Sequence, residues 1–262
     1  MEFYRGIKYL ALVCFVLSAC FLFGYMNSRR DFKEAKEVYR SVNGSSFSKI
    51  PVIQIPEHSI SADRKGKDQK EKALADEQEE WFLEKKSQWP SMVGWLSWGG
   101  GTYSYPVMQA DDNDFYLNHL PDGSKNRLGS IFLDSSANED FSSPVSVIYG
   151  HMVQSGEMFG SLKEYRSQSY YEKYPEAVLY TDKGRKTIQI LASYLVDGER
   201  DVYPHGFVTQ NDWESYMEMV KESSLIHGLW EEEQGDKLVI FSTCAYDFEN
   251  ARLAVLGRFA TK

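Results

Sequence analysis

The sequence predicts a mainly β fold with added helices, arranged as a closed sheet or a sandwich. Eight short runs rich in β-branched and aromatic residues follow one another from residue 93 to the end, each bounded by turn residues. One clear stretch of helical period interrupts them, too little for a strand–helix–strand alternation. A chain of 262 residues that is 42% hydrophobic and 15% aromatic has enough apolar surface for one good-sized core or two small ones.

Taken in order, the first element is the uncharged run Tyr9–Met26, "YLALVCFVLSACFLFGYM". Its 18 residues are about the minimum that spans a bilayer core. Arg5 and Lys8 precede it; Arg29, Arg30 and Lys33 follow. This balance does not favour an inside amino terminus, but long domains translocate largely regardless of charge. A cleaved signal peptide lacks a polar cleavage region here, and "LSAC" is followed by more apolar residues rather than by a polar mature start. The reading adopted is an uncleaved membrane anchor with a cytoplasmic tip over 1–28, a linker over 29–66, and a catalytic domain over 67–262. A short helix fits around Phe32–Tyr39 within the linker. The charge-dense stretch before Pro90, whose main apolar positions are Ala73, Leu74, Trp81, Phe82 and Trp89, fits a helix over about 68–87.

The strands follow as "VGWLSW" (93–98), "YSYPVM" (103–108), "GSIFLD" (129–134), "VSVIYG" (145–150), "AVLYT" (177–181), "KTIQILASYLV" (186–196), "KLVIFST" (237–243) and "RLAVLGRFA" (252–260). Gly99-Gly100-Gly101 and Asp182-Lys183-Gly184 fit hairpin turns. A shorter helix fits around Phe159–Tyr165. The long helix over 211–224 is read with Asn211 as its cap and Glu214 at capping-box distance.

A formal charge of −9 argues against a protein that holds nucleic acid by neutralising phosphates. Of three cysteines, Cys14 and Cys20 lie in the apolar run, so the globular part holds Cys244 alone and forms no internal disulfide. Such a thiol is either buried and inert or reactive. As a nucleophile it needs a base to take its proton and a cation or oriented amides to hold an oxyanion. His151 directly follows a buried-looking strand, with Gly150 allowing a sharp turn; on position alone a structural histidine is the commoner outcome. Arg252 opens the strand that a short loop joins to Cys244, and Arg258 competes with it. Asp247 or Glu249 can orient the base, and a solvated turn explains them equally well. No paired Cys/His spacing marks a metal site, and neither metal nor cofactor is expected.

From about Met92 to Ala260 the chain resembles class B sortases, membrane-anchored cysteine transpeptidases of Gram-positive bacteria. The matching pieces are "VGWL", "YPVMQADDNDFYLNH", "GSIFLD", "VIYGHM…GEMFGSLKEY", "YYEKYPEAVLYT" and "FSTCAYDFENARLAV", in the family's order. The resemblance implies an eight-stranded sortase-like β-barrel with an N-terminal helix and an inserted long helix. It implies Cys244 as nucleophile, His151 as general acid/base and Arg252 as the oxyanion-side cation. Tyr149, Ser242, Thr243 and Asn118 match positions that line the peptide groove. The implied partners are surface proteins bearing a C-terminal sorting motif, of the Asn-Pro-Gln-Thr-Asn kind in many members, and a peptidoglycan precursor or cross-bridge amine. Ser104, Met152 and Phe241 depart from the family pattern; the last two border the site and bear on substrate preference. A purely hydrolytic cysteine peptidase and a non-enzymatic membrane-tethered interaction domain are the alternatives.

Overall fold

The computed structural model describes residues 2–43, 77–198, 203–229 and 235–260, with the side chains of 2–12 and 40–43 excepted. Eight strands close into a barrel in the order β1-β2-β3-β4-β7-β8-β6-β5. They are β1 (Met92–Trp98), β2 (Tyr103–Met108), β3 (Ile131–Leu133), β4 (Val145–Tyr149), β5 (Glu176–Thr181), β6 (Gly184–Asp197), β7 (Leu238–Cys244) and β8 (Ala251–Phe259). Each falls on one of the eight apolar runs. The β2–β3 and β4–β7 pairs are parallel and the others antiparallel. Closure through β1 and β5 removes the free edges an open sheet would expose.

Alternation along the strands sorts side chains to two faces. Ile148, Val239, Phe241, Leu253 and Val255 pack inside the barrel. Val147, Leu238, Ile240, Ala254 and Leu256 face outward, beneath helix α4 (Gln210–Ser223), whose Trp213, Met217 and Val220 cover them. A second outer patch, with Trp95, Met108, Phe132 and Tyr180, is covered by Phe82 from a helix, α2, described over 77–88. A 3-10 helix, Phe159–Arg166, adds Phe159, Leu162 and Tyr165 to the interior. The short helix α3 (Gln168–Lys173) follows it.

Four expectations are revised or fall partly outside the described residues. Thr209, not Asn211, caps α4: its hydroxyl accepts from the Asp212 N–H at 3.2 Å, and Asp212 accepts from the Thr209 N–H at 2.9 Å. The same residue spacing recurs two positions on, but Asn211 already lies inside the helix, and Glu214 accepts from Gln210 at 2.7 Å instead. The helix expected over 68–87 is described only from 77, and residues 68–76 lie outside the described residues. Helix α1 runs over Glu2–Asn43, through the start of the stretch read as linker. Its later part docks on the barrel: Ala35 and Tyr39 are buried, the Tyr39 hydroxyl donates to Gly129 O at 3.0 Å, and Asp31 pairs with Arg127 at 3.0 Å. The rest of the linker reading, 44–66, lies outside the described residues. Among the described residues no helix is long and apolar enough to cross a membrane, so the spanning anchor finds no support there. Side chains at the start of the Tyr9–Met26 run lie outside that set.

Candidate active site

Three neighbouring strands end together. In the parallel β4–β7 pair Tyr149 lies opposite Ser242, and the Gly150 N–H donates to Ser242 O at 3.2 Å. Continued two residues past its last pair, that register puts His151 level with Cys244. In the antiparallel β7–β8 pair Cys244 and Arg252 are direct partners, and Arg252 Nη1 stands 3.5 Å from Cys244 Sγ. All three residues are half-buried, so the sulfur is neither sealed in the core nor fully in solvent. Gly150 is required where it stands. A Cβ there would meet Phe159 Cδ2 at 2.8 Å and Ile131 Cγ1 at 3.2 Å.

His151 Nε2 lies 2.7 Å from the Leu117 carbonyl. A carbonyl only accepts, so Nε2 carries the proton and Nδ1 is the basic nitrogen of the neutral ring. The orienting partner is thus a backbone carbonyl, not the carboxylate that Asp247 or Glu249 suggested. Asp247 is held instead by Arg166 in a two-pronged pair at 2.7 and 3.1 Å, and Glu249 is exposed. Arg258 is occupied elsewhere along β8, bonded to Gln189 at 3.1 Å and Asp236 at 2.9 Å.

The groove residues divide. Tyr149 is half-buried against Phe132, ring centroids 5.4 Å apart, and its hydroxyl donates to Asp134 Oδ2 at 3.1 Å. Burial, then the Asp134 charge, push its phenol well above the usual range, so it stays protonated. Ser242 is buried on the same face, with its Oγ 2.9 Å from the Tyr203 hydroxyl. Tyr203 is pushed up to about 12, chiefly by burial, with the Ser242 hydrogen bond and Arg252 pulling the other way. Thr243 is buried on the opposite, inward face, and its Oγ1 has no hydrogen-bond partner among the described residues. The Asn118 side chain is exposed and lines a different hollow with Asp31, Lys125, Asn126 and Arg127. The structure does not bring it to the thiol.

Residues that sequence reasoning passed over complete the wall. Asp134 is buried, and its carboxylate accepts from Tyr149, from Asn113 Nδ2 at 3.0 Å, and from the Ser136 N–H and hydroxyl at 2.8 and 2.6 Å. Burial alone would raise its pKa; these hydrogen bonds outweigh burial and hold it below the ordinary carboxylate value. The only hint was a polar residue closing "GSIFLD". Nothing in the sequence pointed to Tyr203, which reaches the site from a distant loop.

A cysteine thiol, an imidazole with Nδ1 open and a guanidinium at one barrel rim are the kinds of group that acyl transfer uses. No family model matches the chain. Sortase B of Listeria monocytogenes serovar 1/2a is 30% identical over 173 residues, covering 65% of this chain and 70% of that protein. The chain belongs to the sortase B family. Sortase B of Staphylococcus aureus is 28% identical over 169 residues, covering 64% of this chain and 69% of that protein. The crystal structure of Clostridium perfringens sortase B superposes with a TM-score of 0.62 at 28% identity, covering 67% of this chain and 97% of that one. As a sortase the chain is a cysteine transpeptidase, and its closed eight-stranded barrel with peripheral helices is the sortase architecture.

Proposed function

We propose that this sortase cleaves a C-terminal sorting motif after threonine and joins the acyl fragment to a cell-wall amine through a thioester on Cys244. The observation that carries the reading is the pairing of Cys244 with Arg252 across β7–β8, with His151 two residues beyond the Tyr149–Ser242 pair, just past the end of β4. The Cys244 thiolate attacks the threonine carbonyl carbon, and the S–C bond forms as the carbonyl electrons move onto oxygen. Arg252, 3.5 Å from the sulfur, holds that oxyanion. Collapse breaks the C–N bond, and the His151 imidazolium gives its proton to the departing amine. An incoming neutral amine then reverses the sequence: C–N forms, C–S breaks, the thiolate leaves, and the amine proton passes to His151. Tyr149 and Ser242 line the donor groove, with Tyr149 held by Asp134 and Ser242 by Tyr203. Thr243 acts from the inward face, as a support for the thiol-bearing turn.

The proposal includes anchoring, with the domain division 1–28, 29–66 and 67–262 and the catalytic domain outside the cell. The apolar side chains Val13, Phe15, Leu17, Phe21, Leu22 and Phe23 of α1 are all exposed, which suits a lipid environment better than water. Cell fractionation tests this: the full chain sediments with membranes, and a chain lacking residues 1–28 does not. Donor surface proteins and a peptidoglycan amine are the partners this reading names.

The enzymatic test incubates the protein with a panel of sorting-motif peptides, with and without an amine, and reads products by mass. A joined amide product is expected only when amine is present. Release of free acid at the same rate with and without amine would instead mark a hydrolase.

A further inference from the structure

His151 is held at two atoms, and both supports lead back to one side chain of α1. The Leu117 carbonyl holds the ring, accepting from Nε2 at 2.7 Å. The Phe159 N–H holds the backbone, donating to His151 O at 3.1 Å. Neither support lies in a strand. Leu117 ends a 3-10 turn, Phe115–Leu117, in the β2–β3 connection, and Phe159 opens the 3-10 helix that follows β4. Strand pairing therefore fixes neither of them directly.

Tyr39 reaches the first support through Gly129. Its hydroxyl donates to Gly129 O at 3.0 Å. Burial pushes the phenol well above its ordinary range, so the hydroxyl keeps the proton it donates. Gly129 in turn lies hard against Leu117. A Cβ at 129 would come within 2.6 Å of the Leu117 oxygen, the one that accepts from His151, and φ there is +56°. The backbone ties the two stretches together: the Ser130 N–H donates to Tyr116 O and the Asn126 N–H to Asn118 O, both at 2.8 Å. Helix α1 grips this connection a second time at Asp31, whose carbonyl accepts from Asn126 Nδ2 at 2.9 Å. Asp31, Ala35 and Tyr39 recur at every fourth residue, which puts them on one face of the helix.

Tyr39 reaches the second support through its ring. It meets Tyr105 of β2 edge-on, with centroids 5.5 Å apart. The Tyr105 hydroxyl accepts from the Met158 N–H at 3.1 Å, one residue before Phe159.

We propose that Tyr39 is a positioning residue for the His151 imidazole, and that the docked part of α1 thereby tunes the chemistry at the far end of β4. The proposal rests on the reading of His151 as general acid/base. Removing the Tyr39 hydroxyl leaves a buried carbonyl without its donor and loosens the β2–β3 connection. The Leu117 carbonyl then moves off Nε2, and the neutral ring is free to carry its proton on Nδ1, the nitrogen the reaction needs open.

The experiment uses the full chain in detergent, with donor cleavage normalised to folded protein by near-UV circular dichroism. Tyr39→Phe keeps the ring contact and removes only the hydroxyl. It should lower kcat about tenfold, short of the roughly 100-fold cost of a 1 Å misplacement. The donor KM should stay within about twofold, since no donor contact is lost. Proton–nitrogen correlation spectra of histidine-labelled protein, recorded with the ring neutral, should show His151 shifting from the Nε2–H towards the Nδ1–H tautomer. The His151 signal is assigned by its absence from His151→Ala. Thr209→Ala, which weakens the distant α4 cap, serves as the control for lost stability. An unchanged kcat in Tyr39→Phe, an unchanged tautomer signal, or the same kcat loss in Thr209→Ala would each overturn the positioning role while leaving the acid/base reading intact. Full activity in His151→Ala would remove the acid/base reading itself, and the role of Tyr39 with it.

Discussion

Replacing Gly150 by alanine tests whether the position of His151 matters to the chemistry. The new Cβ would lie 2.8 and 2.9 Å from Phe159 Cδ2 and Cγ. Phe159 cannot withdraw: it is fully buried, its ring meets Trp98 at 5.5 Å and Phe241 at 6.0 Å, and its N–H donates to His151 O at 3.1 Å. Carbon–carbon contacts relax at about 3.5 Å or more, so the backbone at 150 must move by ~0.7 Å. A shift of that size stretches the 2.7 Å His151–Leu117 hydrogen bond beyond the usual N–H···O range of about 3.2 Å. Misplacement on the order of 1 Å typically costs about 100-fold in rate. We therefore expect kcat/KM for donor cleavage to fall by ~10- to 100-fold. Overpacking should lower stability by about 1–3 kcal/mol, and Tm drops by roughly 2–4 °C per kcal/mol in a domain of this size. The assay is cleavage of a fluorogenic sorting peptide by protein shown to be folded from its near-UV circular dichroism. Gly94→Ala is the control, since its Cβ would meet Leu179 at 3.0 Å, inside the barrel and away from the three strand ends. It should lower Tm and leave kcat of the folded protein unchanged. A folded Gly150→Ala enzyme within twofold of normal kcat/KM would refute the reasoning.

Arg252→Ala removes the cation beside the sulfur and should lower kcat by ~100- to 1000-fold in steady-state assays, with Arg252→Lys falling between the two. Tyr149→Phe removes the donor to Asp134 and should lower stability by ~1 kcal/mol in urea unfolding. Thr209→Ala should also cost about 1 kcal/mol through loss of the α4 cap, without changing kcat. Asp134 supplies a pH signature. Its folded pKa is depressed, so its contribution is complete above the ordinary carboxylate value of about 3.9 and disappears as pH falls through the folded value. Urea unfolding at pH 6 and pH 3 should show a smaller acid loss of stability in Asp134→Asn than in the unmodified protein.

The strands were legible because each carries its own evidence: an apolar run of the right length between turn residues. The pairing of those strands was not. β4 and β7 are almost ninety residues apart, and a parallel contact between them leaves no local trace. Yet that contact is what carries the segment leading to His151 to the end of β7 that bears Cys244. Arg252 was easier, since a short loop between two apolar runs implies a hairpin. The orientation of the imidazole could not be read, because its partner is a backbone carbonyl and every residue has one. Asn118 shows the limit of matching by neighbourhood: it adjoins Leu117, whose carbonyl serves the site, but its own side chain lies in another hollow. Tyr203 comes from a loop whose place is fixed only by tertiary packing.

The most direct test is to trap the acylated protein and locate the adduct. Incubation with a cleaved sorting peptide, quenching in acid and peptide mapping by mass spectrometry should find the acyl fragment on Cys244, labile to hydroxylamine, and absent from Cys244→Ala. Product formed at an undiminished rate by Cys244→Ala, or an adduct mapped to any other residue, would contradict the account.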